Sequence, residues 1–194
     1  MKKLNLVAAL LLVAGIATAQ ATWKIDKVHS KVGFSVVHMV VAETEGKFTD
    51  YEGSVISKTE DFDGAEVEFT AKVASISTEN EKRDGHLKSP DFFEAEKYPE
   101  VKFKGALAKK GGKYTLTGKL TMKEVTKDVT FDVTYGGTVN TGRGFKAGFK
   151  FTGAINRQDY GVKWANKVQD GGAVVSDEVT IICKIELDKQ APTN

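Results

Sequence analysis

Apolar and polar residues alternate one for one along most of this chain, and that period of two ties it to a single class of structure. Alternation puts every second side chain on one face of an extended strand, so each run reads as a strand half buried against a core. Val32, Phe34, Val36 and His38 share a face, with Lys31, Gly33 and Ser35 opposite. The same rule sets Val67, Phe69, Ala71 and Val73 against Glu66, Glu68, Thr70 and Lys72. It sets Val101, Phe103, Gly105 and Leu107 against Lys102, Lys104 and Ala106. It recurs over 114–120, 129–135, 145–151 and 179–187, while 23–28 and 48–56 are weaker runs.

The punctuation agrees. Lys109-Lys110-Gly111-Gly112 sits between two runs as a hairpin connection, Gly136-Gly137 reads as a second turn, and all three prolines avoid the runs. Helical signals are few. Thr78 with Glu81 three residues on forms a capping-box pattern opening a short helix through Arg83, His86 and Leu87. Ser89-Pro90 has the form of an N-cap followed by a first-turn proline, and 39–44 is a third short candidate. No repeat or linker divides the chain, so one domain is expected. Eight or so antiparallel strands of this kind make a sandwich or a closed barrel. Small inward residues (Ala71, Gly105, Gly118, Ala147) beside large Phe and Leu favour a barrel with room inside, although inward glycine also marks bends and bulges.

Residues 1–21 have the order of a signal peptide: Lys2 and Lys3, an apolar run over 4–16, then small residues. Cleavage is expected after 19 or 21, leaving an exported, soluble domain over 22–194. The apolar run is too short to span a bilayer core of about 30 Å, which takes roughly 20 residues. Taking its two lysines from the 28 Lys+Arg leaves 26 cations against 26 Asp+Glu. A net charge of zero gives no field to hold a polyanion, so nucleic acid is not an expected partner. The lone Cys183 excludes an intramolecular disulfide and any multi-cysteine metal site.

Little in the chain points to catalysis. His29, His38 and His86 lack the spacing of a metal site, and no metal is expected. Asp26, His29 and Ser30 suggest a catalytic triad, but neighbours on a strand point to opposite faces, which separates His29 from Ser30. Cys183, between Ile181 and Ile185 on an inward face, reads as a small buried hydrophobe. Two segments stand out. Over 80–93, Arg83, Asp84, His86 and Lys88 run into Leu87, Phe92 and Phe93, which reads as a solvated helix or as a lid over an amphiphile. The stretch 156–177, with Arg157, Asp159 and Trp164, is long for a connection in a compact domain, a length usual for functional or disordered segments.

Several segments resemble the YceI-like family: WKIDKVHSKVGFSVVHM at 23–39, GKFTDYEG at 46–53 and NEKRDGHLKSPDFF at 80–93. YPEVKF at 98–103, LTGKLT at 116–121, VTKDV at 125–129 and NRQDYGV at 156–162 continue it in order along the mature chain, with Glu124 where the family usually has glycine. The resemblance implies an all-β, antiparallel, eight-stranded lipocalin-like barrel with one or two short helices. It implies a periplasmic carrier that sequesters or transports a polyisoprenoid, isoprenoid quinone or similar lipid inside the barrel. The lipid is the only ligand implied, and no cofactor is. The expected apolar lining is Phe34, Val36, Phe69, Phe103, Leu116, Gly118, Leu120, Phe131 and Phe149 from strands, with Leu87, Phe92, Phe93 and Trp164 from the two unusual segments. A head group is expected to meet His38, Arg83, His86 and Arg157. Two other readings stay open: a hydrolase or isomerase acting on such a lipid through His86 or His38, and a ligand-free module for a membrane redox partner. Transient contact with membrane proteins or the membrane surface fits each of them.

Overall fold

The computed structural model describes residues 20–169 and 171–191. Of the leader expected over 1–21, all but Gln20 and Ala21 lies outside the described residues. The strands are β1 (Ala21–Ile25), β2 (Lys31–His38), β3 (Ala42–Phe48), β4 (Tyr51–Ser57), β5 (Glu66–Lys72) and β6 (Ile76–Ser77). They continue as β7 (Glu100–Lys110), β8 (Lys113–Met122), β9 (Val125–Asn140), β10 (Phe145–Asn156) and β11 (Val175–Lys189), with one helix, α1 (Glu81–Lys88), between β6 and β7.

These eleven segments make eight staves. β2 pairs with β3 while β1 pairs with β4, so β1–β2 and β3–β4 are each one strand bent partway along. β5 and β6 are joined in the same way through a single helical turn at Val73–Ser75, since β5 pairs with β4 and β6 with β3. The order runs on through β7, β8, β9, β10 and β11, every pairing antiparallel. β11 then pairs with β2 along its first part and with β1 at Leu187, Asp188 and Lys189, which closes the ring. Closure gives the backbone donors and acceptors partners on both sides and leaves no edge. The eight-stranded antiparallel barrel is therefore what the alternation builds.

Some local expectations are corrected. Residues 39–41 form a hairpin turn between His38 and Ala42, not a helix. Gly136-Gly137 is no turn: β9 runs through it to Asn140, and the register against β10 slips there as a bulge. The chain reverses instead at Thr141–Gly144, where the Thr141 amide donates to the Gly144 carbonyl at 2.9 Å. The cap of α1 is Asn80, whose side chain accepts the Arg83 amide at 3.0 Å. Ser89 ends that helix rather than starting another, because its amide closes on the His86 carbonyl.

The two ends of the barrel differ. At the end holding the hairpins after β4, β7 and β9, Phe62 turns inward from the loop before β5 and is 1% exposed. Its φ of 61° lies in the left-handed region, a conformation that aims the ring into the lumen. There it meets Trp23, Phe149 and Tyr135 at centroid distances of 5.1, 5.0 and 5.6 Å. Tyr114 packs on Tyr135 at 5.6 Å. This aromatic plug fills the floor.

The bend between β1 and β2 is sewn to β11. Asp26 accepts the Val28 amide at 2.9 Å, His29 Nδ1 at 2.7 Å and Lys146 Nζ at 2.8 Å. Lys146 also reaches Glu186 and Asp188, each at 2.8 Å. Ser30 Oγ accepts the Glu186 amide at 2.9 Å, and Tyr51 donates to the Ser30 carbonyl at 2.8 Å. Lys146 first and His29 second hold the Asp26 carboxyl well below the usual carboxylate range. Asp26 in turn raises the His29 imidazole above its ordinary value.

Asp26→Asn is expected to lower stability at neutral pH by about 1–3 kcal/mol, since charge-assisted bonds are lost at a site shielded from water. The stabilisation from a depressed carboxyl is present above 3.8 and is lost as pH falls through its lower folded value. That from a raised imidazole is present below 6.5 and fades as pH rises through its folded value. Urea unfolding across pH should therefore show the widest gap between parent and variant in the window from 3.8 to 6.5.

Candidate functional site

Above the plug the lumen is open. A cavity of about 360 Å³ runs from the barrel interior to the other rim, where the 39–41 turn, α1 with the segment after it, and the 157–174 connection meet. That volume lies within the range of small-molecule pockets. The wall is apolar because the inward-facing residues of each alternating strand supply it. Phe34, Val36, Phe69, Phe103, Leu116, Leu120 and Phe131 all line it, as expected from the alternation. Leu87, Phe92, Phe93 and Trp164 reach it from the rim. Sequence reasoning did not single out Met122, Phe151 and Ile155, which complete the wall on β8 and β10.

Two expected lining residues do not reach the cavity. Phe149 belongs to the plug, packed on Phe62 and stacked on Tyr135 at 5.0 Å. Gly118 faces Gly105 across β7 and β8, and a Cβ there would run into the Lys104 carbonyl and come within 2.7 Å of the Phe103 ring. These inward glycines are thus not voids. They are seats: the Phe103 ring lies over Gly105 and Gly118, the Phe34 ring over Gly46, and the Phe131 ring over Gly153. Rings laid on glycine hug the wall, and the lumen stays open beside them.

The rim carries the polar groups. His38, Thr44, Thr78, Arg83 and His86 border the cavity. His86 is set edge-on to Phe92 and Trp164 at 5.0 and 5.6 Å, while those two rings stack on each other at 5.2 Å. Its Nε2 lies 2.9 Å from Asp91. Arg83 is anchored on one side only, with Nε donating to Thr78 Oγ1 at 2.7 Å and one terminal nitrogen to the Thr78 carbonyl at 2.9 Å. Thr78 is itself held by Asp84, which accepts its hydroxyl at 2.6 Å and its amide at 2.7 Å. This lock, not a capping box, is the role of Thr78.

Arg157 differs from what was expected of it. It borders the cavity yet is 5% exposed, and its donors are taken up by the rim connection and the start of β11. It bonds the carbonyls of Ser176, Val162, Trp164 and Val175 and the Asp177 carboxylate, at 2.8–3.4 Å. A guanidinium has five donors, so nothing remains for a head group. Burial lowers its basicity, with Asp177 opposing. Arg157 shapes the rim connection. Lys123 plays a matching part across the rim, reaching the Phe92 carbonyl at 3.2 Å and Glu94 at 3.1 Å. No sequence pattern marked it.

The other chemistry is quiet. Burial pushes the inward-facing Cys183 thiol up to about 11, so it stays protonated at neutral pH. Asp26, His29 and Glu186 bring ligand atoms within 4.8 Å of one another, but the Lys146 ammonium lies 2.8 Å from both carboxylates.

The YceI-like domain profile matches residues 23–187. The UPF0312 protein plu2095 of Photorhabdus laumondii is 35% identical over 181 residues, 90% of this chain and 94% of that protein. The crystal structure of the Campylobacter jejuni YceI protein superposes with a TM-score of 0.69 at 30% identity, covering 86% of this chain and 97% of that one. A domain from Saccharophagus degradans described as polyisoprenoid-binding has a TM-score of 0.66 at 13% identity, covering 87% and 98%, and so shares the fold.

The glycine seats are open to test. Gly46→Ala should lift the Phe34 ring off the wall into the lumen, weakening uptake of an apolar fluorescent probe with little change in unfolding temperature. Gly118→Ala meets backbone instead and should cost about 1–3 kcal/mol of stability. Probe titration and thermal unfolding of both variants separate a ring that can move from a carbonyl that cannot.

Proposed function

The chain belongs to the YceI-like domain family, and we propose that it is a binding protein that sequesters or carries a long-chain amphiphile, a polyisoprenoid or isoprenoid quinone, with the tail in the barrel. The observation that carries this reading is the apolar cavity, closed at one end by the aromatic plug and bordered at the other by polar side chains. A tail buried there gains about 0.8 kcal/mol per methylene, so a few isoprene units outweigh any single head-group contact. Affinity then follows the tail, and discrimination between head groups is modest. The polyisoprenoid-binding description of the Saccharophagus degradans domain agrees with this choice of ligand. His38, Arg83 and His86 are the groups placed to meet a head group, Arg83 through the part of its guanidinium that Thr78 leaves unbonded.

Binding is favoured over catalysis by the state of the reactive groups. Cys183 is held as a thiol, and His86 pairs with Asp91 and two aromatic rings rather than with a nucleophile. The signal-peptide order of residues 1–21 supports export to the periplasm as part of this proposal.

Organic extraction of purified protein followed by mass spectrometry should return a lipid at about one per chain. Protein that is repeatedly empty and takes up no isoprenoid would overturn the proposal. Arg83→Ala should weaken an anionic isoprenoid and leave a neutral one of equal tail length unchanged. N-terminal sequencing of protein from the soluble envelope fraction should begin at Gln20 or Thr22, and a retained Met1 would remove the export step.

A further inference from the structure

The turn between β2 and β3 breaks two rules at once. It carries Met39 and Val40 with φ of 49° and 66°, where glycine or asparagine is the residue that fits. A β-branched valine in that region is strained, and strain of this kind persists where function requires it. The same turn is apolar and in water. Val40 is 66% exposed and Val41 86%, with Val37 and Met39 beside them each more than two-fifths exposed. Solvated hairpin tips take polar turn residues, so four adjacent apolar side chains here are not explained by folding.

The tip stands at the mouth of the cavity. His38, immediately before it, borders the cavity, and the Met39 amide donates to the carbonyl of Val174, another lining residue, at 2.9 Å. A Cβ on Gly172 would lie 3.0 Å from Val40 and 3.3 Å from Val168, so the tip is braced against the rim connection. That connection presents exposed Lys163 and Lys167. The nearest acid along β3, Glu43, turns its carboxylate onto Ser35 at 3.0 Å.

We propose that the 37–41 hairpin tip docks the barrel mouth on a phospholipid bilayer, its apolar side chains entering the interface while Lys163 and Lys167 face anionic lipid phosphates. Interfacial anchors combine buried apolar area with attraction to anionic head groups, and this rim has both. Docked there, the cavity opens toward the membrane rather than toward water. The inference goes beyond ligand binding and does not require the cavity to be filled.

The test is sedimentation of the purified protein with vesicles of phosphatidylcholine alone and of phosphatidylcholine mixed with phosphatidylglycerol. The parent should bind the mixed vesicles, and V40N/V41S should lose about tenfold or more of that affinity, because two apolar side chains no longer leave water. Asn suits the backbone of position 40, so the variant should unfold at the parent temperature or above it. K163Q/K167Q should lose the preference for the mixed vesicles. Val41→Trp should give a blue-shifted emission with vesicles that brominated lipid quenches. A parent that sediments with neither vesicle overturns the proposal, as does a V40N/V41S variant that binds like the parent. A parent that self-associates through the tip without binding vesicles makes a second copy the occupant and also overturns it. These vesicles contain no isoprenoid, so failure here leaves the cavity ligand standing, and an empty cavity leaves docking standing.

Discussion

Closure through β11 is the constraint on which the rest of the molecule depends. One strand, Val175–Lys189, pairs with β10 on one side and with both β2 and β1 on the other. Its contact with β1 is brief, so the bend between β1 and β2 must be held while β11 passes it. Asp26 and Lys146 do this electrostatically, and Ser30 does it by exchanging both backbone groups of Glu186 through one hydroxyl. Open the seam and the sheet acquires two edges, losing the enclosure that keeps its apolar face from water.

Enclosure alone does not make a cavity, because protein interiors fill to crystalline density. Here the filling is uneven. Bulk is concentrated at the floor, where Phe62, Trp23, Tyr114, Tyr135 and Phe149 interlock, and thinned above it by setting rings on glycine. The period of two made the strands, their inward faces and the barrel class legible, since alternation depends only on which side of a strand faces the core. It made Phe34, Phe103 and Phe131 legible as lining for the same reason. It could not show that Gly118 is a seat rather than a gap, because that depends on which ring lies across the neighbouring strand.

The rim was less legible, and the reason is physical. Rim residues act through backbone carbonyls of connections whose paths no periodicity encodes. Arg157 looks in sequence like a cation in a long loop, yet its partners at Ser176 and Asp177 come from the far end of that loop. Lys123 carries no mark in the sequence, because its partners at Phe92 and Glu94 lie far back in the chain. The helical signal at Thr78 is right in place but wrong in role, since its hydroxyl donates to Asp84 and accepts Arg83 Nε while Asn80 takes the helix amide. The stretch 39–44 reads as a short helix because its apolar start offers no turn chemistry, whereas residues 39–41 are a hairpin tip.

The aromatic floor makes this barrel a thimble rather than a pipe. A chain that enters has no second exit, so it must leave by reversing its own path, and nothing can be passed through from one side to the other. Occupancy by one tail blocks the next until the first withdraws. For the proposed amphiphile depth becomes a ruler: a tail longer than the cavity leaves its head standing clear of the rim.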